Sequence, residues 1–128
     1  MRNEFHDFFG GYRRASASVS LAAVCLALLS QSAAASSDAR VAEGKKLATE
    51  RSKGNCLACH VIEDGELPGN MGPPLLQMQA RFPSREALRA QICDATARNP
   101  YSRMPPFCRH GILTESEVDL IVEYLYTL

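Results

Sequence analysis

The segment Asn55-Cys56-Leu57-Ala58-Cys59-His60 restricts the fold of this chain more than any other feature. It contains C-x-x-C-H, the attachment sequence for haem c. Each thiol adds to one vinyl group, so two cysteines are needed at a spacing that reaches both. The histidine that follows then comes under the iron and supplies an imidazole nitrogen as axial ligand. A chain with this segment is expected to fold around a haem.

Two other chemistries use similar residues, and both fit poorly. A redox-active C-x-x-C is expected beside a βαβ pattern, and no strand alternation occurs here. A Cys/His zinc site needs further cysteines at close spacing, whereas Cys93 and Cys108 are remote.

The N-terminus places the chain outside the cytoplasm. Arg13 and Arg14 precede an apolar run from Ala15 to Leu29, followed by the small residues Ala33, Ala34 and Ala35. This is the order of a secretory signal peptide, with cleavage expected after Ala35. The division is therefore a leader at 1–35 and one domain at 36–128. The run is shorter than the roughly 20 residues of a spanning helix, and Ser16, Ser18 and Ser20 dilute it. An uncleaved N-terminal anchor is the alternative. A periplasmic location fits haem c, which bacteria attach outside the cytoplasm. Cys25 and His6 leave with the leader, reducing five cysteines to Cys56, Cys59, Cys93 and Cys108. The fourteen basic and fourteen acidic side chains cancel, so no charge excess points to nucleic acid.

Periodicity predicts three main helices, an all-α fold. The first begins near Ser37 or Asp38 and runs to about Arg51, with Val41, Leu47 and Ala48 as its apolar stripe. Gly44 lies within it at a cost of about 1 kcal/mol relative to alanine. Either another helix approaches closely there, or the glycine is a tolerated surface residue. The second helix runs from Ser84 to about Thr96, burying Leu88, Ile92 and Ala95. The third is capped by Thr114 with Glu117, a capping box, and Leu113 and Val118 stand where a hydrophobic staple needs them. Its buried face is Val118, Ile121, Val122 and Leu125. From Val61 to Gln79 no period exists, and a loop this long in a small domain is expected to wrap something.

The second axial ligand must come from Met71, Met78, Met104 or His110. Met104 is favoured, because Tyr101-Ser102-Arg103-Met104-Pro105-Pro106-Phe107 is a proline-stiffened loop suited to holding a thioether. Met71 and Met78 are read as packing residues and His110 as a surface histidine. Histidine and methionine together close both faces of the iron, which argues for electron transfer over catalysis at the haem. A carbonyl from Gly72-Pro73-Pro74-Leu75 is a candidate partner for the other nitrogen of His60; a plain loop turn is the alternative.

From about Val41 onward the chain resembles class I c-type cytochromes in the order Gly44 and Leu47, Cys56-x-x-Cys59-His60, Gly72-Pro73, Met104 and a last helix with Tyr124. That resemblance implies helices wrapped around one covalent haem, with the first and last crossing closely. Gly54 to His60, Pro68-Gly-Asn-Met-Gly-Pro-Pro-Leu75, Asn99-Pro100, Met104-Pro-Pro-Phe107 and Ile112-Leu-Thr114 are further similar to the SoxX family, the monohaem subunit of the SoxAX cytochrome. The resemblance implies axial ligation by His60 and Met104 and pairing with a SoxA subunit. It implies thiosulfate coupling to a cysteine of the SoxYZ carrier, with electrons passed to a small acceptor cytochrome. The complex would be an L-cysteine S-thiosulfotransferase in which this subunit carries electrons and no catalytic residue. A free-standing small cytochrome c is the alternative.

In that family Met-Pro-Pro-Phe is usually followed by glycine, whereas Cys108 follows here. Cys93 is the remaining unassigned cysteine, and a Cys93–Cys108 disulfide is expected to staple the methionine loop to the second helix, contributing roughly 3 kcal/mol; two free buried thiols, or Cys108 as an iron ligand, are the alternatives. Arg81, Arg85, Arg89, Arg98, Arg103 and Arg109 form either a solvated surface or a basic rim that steers partners.

Overall fold

A computed structural model describes residues 21–63 and 65–128, with side chains from residue 35 onward. His6, Arg13, Arg14 and the first part of the expected leader lie outside the described residues. The described residues form four α-helices and no strand: α1 (Leu21–Thr49), α2 (Met78–Arg81), α3 (Arg85–Cys93) and α4 (Glu115–Leu125). Two 3-10 turns, Cys56–Ala58 and Ala95–Ala97, lie between them. No described helix is long and apolar enough to cross a membrane.

The first helix does not start at Ser37 or Asp38; it is continuous from Leu21. Its leucine- and alanine-rich stretch before residue 36 has high helix propensity and carries the helix through the caps that Ser37 and Asp38 offer. Toward its C-terminal end α1 packs chiefly on α4, burying Leu47 and Ala48. Gly44 is the crossing point. A Cβ there would fall onto the Leu120 carbonyl and 3.0 Å from the Tyr124 Cβ, so the two backbones meet with no side chain between them. Gly44 therefore serves close approach, and the surface alternative is discarded.

α4 begins as its residues dictate. The Thr114 side chain accepts from Glu117 N at 3.2 Å, and Thr114 N donates to Glu117 Oε2 at 2.8 Å. Leu113 and Val118, the staple pair, are both buried. Along the helix Val118, Ile121, Val122, Tyr124 and Leu125 are buried. α3 starts at its predicted cap, with Ser84 accepting from Ala87 N, but stops at Cys93. Asp94 breaks it, because its carboxylate accepts from Thr96 N and starts the 3-10 turn.

Charged pairs lace α3 to α4: Arg85 with Glu123 at 2.7 Å, and Arg89 with Asp119 at 2.7 Å and Glu115 at 2.9 Å. Across the molecule Lys53 reaches Glu117 at 2.6 Å, tying the loop after α1 to the start of α4. That bond holds the Glu117 carboxyl below its ordinary value, with help from the Thr114 backbone.

Two outcomes are expected. Gly44→Val must push α1 off α4, an overpacking cost of about 1–3 kcal/mol, read as a thermal midpoint lower by about 4–8 °C for each kcal/mol. A folded-state pKa lowered by a partner stabilises above the unfolded value and loses that contribution as pH falls through the folded one. Acidification below the ordinary glutamate range should therefore lower the thermal midpoint, and Glu117→Gln should flatten that dependence.

Candidate haem-attachment site

After α1 the chain makes a tight reversal. Gly54 N donates to Leu47 O at 3.0 Å, and a Cβ at Gly54 would press on that carbonyl at 2.8 Å. Asn55 then adopts the left-handed conformation, φ 46°, which asparagine tolerates better than most residues. The chain thus enters the 3-10 turn Cys56–Ala58, with Cys59 N and His60 N both donating to Cys56 O at 3.1 and 2.8 Å. This turn gathers Cys56, Cys59 and His60 onto the wall of one cavity.

The long aperiodic loop then folds back alongside the turn. Gly69 N donates to Leu57 O at 2.7 Å, Gly72 N to Cys59 O at 2.8 Å, and Leu75 N to Val61 O at 2.9 Å. At Gly72 the fit is tight enough that any Cβ would land on the His60 ring. The next residue supplies the carbonyl sought in the sequence: His60 Nδ1 lies 2.7 Å from Pro73 O. A carbonyl only accepts, so Nδ1 carries the proton and Nε2 is left as the basic nitrogen of the ring. The Pro73-Pro74 corner is held in turn by Arg81, whose guanidinium donates to Pro74 O at 2.6 Å.

The cavity has a volume of about 760 Å³, within the range of cofactor pockets, roughly 300–1,000 Å³. Leu88 and Ile92 of α3, Ile121 and Leu125 of α4, and Phe107 give it an apolar lining, and Met104 also lines it. Two thiols and an imidazole on one short turn, a thioether on another loop and an apolar space of this size fit a covalently bound haem. Burial pushes the half-buried Cys56 thiol up to about 11, the opposite direction from the lowered thiols of reactive C-x-x-C motifs. Among the described residues no three His, Cys, Asp or Glu side chains cluster as metal ligands.

The candidate ligands separate cleanly. Met78 is buried as a packing residue and touches the cavity. Met71 departs from the packing reading: it is 63% exposed, because Gly72 turns the chain back and leaves Met71 on the outside of the loop at the cavity mouth. His110 is exposed and not in the cavity lining. Cys93 and Cys108 are joined by a disulfide. The arginines do not form one rim. Arg85 and Arg89 are spent on α4, Arg109 pairs with Asp94 at 3.0 Å, and Arg98 lies over the Phe82 ring. Arg81 and Arg103 do line the cavity, joined there by Arg51 and Lys53. Sequence reasoning missed α2, Arg81 as a strut and the Lys53–Glu117 tie. α2 is a single turn entered through Gln77 in the left-handed region, with no cap to announce it, and neither long-range contact has a signature in spacing.

The family model for cytochrome c matches residues 41–128. Among solved structures the chain is similar to one in the crystal structure of SoxXA from P. pantotrophus, at 28% sequence identity with a TM-score of 0.60. That match covers 66% of this chain and 78% of the other. No curated protein matches by sequence.

Gly72→Ala tests the local geometry. The added methyl must displace the imidazole or the Pro73 carbonyl, so the yield of haem-loaded protein should fall severalfold, measured as the ratio of haem absorbance to polypeptide. Pro74→Ala, whose carbonyl still meets Arg81, should leave the yield near wild type.

Proposed function

The chain belongs to the cytochrome c family and carries covalently bound haem c, and from that premise we propose that it is the SoxX-type electron-transfer subunit of a SoxAX complex. The observation that carries this reading is the joining, at one cavity, of the C-x-x-C-H turn and the Met104-Pro-Pro-Phe107 loop. The likeness to the SoxXA structure supports it.

In this reading Cys56 and Cys59 would hold the haem by thioethers. His60 would hold the iron through Nε2, its ring fixed and made more basic by the Nδ1–H bond to Pro73 O. Met104, which lines the same cavity, would hold the iron from its own loop. When bound, the haem supplies a single Fe(III)/Fe(II) couple, and histidine with methionine raises its potential relative to two histidines. The apolar walls from α3 and α4 favour the state of lower charge by excluding water. Arg51, Arg81 and Arg103 stand exposed around the mouth and attract an acidic partner surface in a salt-dependent way.

No residue of this chain performs sulfur chemistry. A SoxA-like partner couples thiosulfate to the SoxYZ carrier, and the electrons released pass through this subunit to a small acceptor cytochrome. The protein is exported to the periplasm, with its leader removed after Ala35 to leave the domain at 36–128.

Co-expression with a SoxA-like cytochrome in a host that matures haem c tests the assignment. The mature chain should begin at Ser36 by mass and elute as a heterodimer. It should be reduced when thiosulfate and the carrier are supplied together. A monomer that ignores the partner and exchanges electrons with an oxidase would favour a free-standing shuttle instead. Met104→Ala should abolish the methionine-to-iron absorption of the ferric protein and lower its reduction potential, read by titration.

A further inference from the structure

Met104 stands on a stretch of chain that closes on itself. Cys93, the last residue of α3, and Cys108 are bridged across a sequence separation of 15. The neck of this ring is fastened twice more. Cys108 N donates to Cys93 O at 3.2 Å. Arg109, one residue outside the ring, pairs with Asp94, one residue inside it, at 3.0 Å.

The two arms from the neck to Met104 differ in stiffness. The longer arm passes through residues 97–101, all of them exposed. Past the buried Ala95 it is organised by local turns such as Ser102 N to Asn99 O at 2.9 Å, with Arg98 over the Phe82 ring, and no residue from 97 to 101 is buried. The shorter arm is Pro105-Pro106-Phe107, two residues of fixed φ and a buried aromatic ring, ending at the disulfide. Cys93 directly follows Ile92, which lines the cavity as Met104 does. The bridge therefore sets the distance between the α3 wall and the short arm that carries the thioether.

We infer that the Cys93–Cys108 disulfide is a positioning device for Met104, keeping the thioether at the iron in the oxidised state. This rests on the reading of Met104 as axial ligand. A thioether is a soft donor that suits Fe(II) better than Fe(III), so the ferric protein is where a loose loop would let it go. A cross-link that limits the open conformations of the loop keeps the effective concentration of sulfur at the metal high.

The test compares haem-loaded mature protein as wild type, Cys93→Ala/Cys108→Ala, Arg109→Gln and Met104→Ala. The ferric methionine-to-iron absorption is followed against pH and the reduction potential is titrated. In the double variant the absorption should be lost about one pH unit earlier than in wild type, a roughly tenfold weaker hold. Its potential should fall, and its ferrous spectrum should stay unchanged. Arg109→Gln, with the bridge intact, should shift in the same direction by less. If the double variant does not accumulate, wild type reduced with a phosphine, alkylated and reoxidised provides the same readouts. An unaltered pH profile and potential, with only a lower thermal midpoint, would show that the bridge merely stabilises the fold and would overturn the inference. Retention of the absorption in Met104→Ala would instead remove the ligand assignment on which the inference rests.

Discussion

Where α1 crosses α4, Gly44 lets the Leu120 carbonyl come as close as a side chain would otherwise stand. The remaining geometry hangs from that contact. It puts the C-terminal end of α1 beside the start of α4, so the reversal at Gly54 and Asn55 delivers the C-x-x-C-H turn to a fixed place. Lys53 locks that delivery onto the capping glutamate of α4. With the turn fixed, the loop that follows hydrogen-bonds along it at three places, and Pro73 arrives at His60. A crossing displaced by one methyl group would propagate along this whole chain of contacts.

The apolar space between the helices is as much a part of the fold as the helices are. Leu88, Ile92, Ile121 and Leu125 are buried, yet all four also face the cavity. The domain is small, and domains of this size are marginal on apolar burial alone. The covalent cofactor therefore completes the core, and the Cys93–Cys108 bridge adds a second constraint on the unfolded chain.

Much of this was legible in the sequence because periodic burial and capping are local. The α4 stripe, the Thr114–Glu117 box and the Ser84 cap are each decided within a few residues. The attachment turn is local too, since two cysteines and a histidine within five positions can share one side only through a tight turn. The site was less legible where it depends on distant contacts. Gly72 looks like any loop glycine until the His60 ring is set against it. Met71 follows apolar logic in the sequence, but the turn it precedes leaves it in solvent. Arg81 is one of several arginines in a row until its bond to Pro74 O separates it from Arg85 and Arg89, which face α4. The extent of α1 was misjudged for another reason: good caps at Ser37 and Asp38 do not stop a helix whose preceding residues are themselves strong helix formers.

That continuity bears on maturation. Proteases bind the segment they cut in an extended form, so under the proposed processing the bond after Ala35 would be cut only once the helix around it unwinds. If the chain is cut after Ala35 as proposed, Ser36, Ser37 and Asp38 would change from interior positions to a new helix start. Ser37 could then cap, and Asp38 would place a negative charge where unpaired N–H groups gather. Processing would thus leave behind an end already suited to being one, and the severed helix would need no rearrangement to keep its grip on α4.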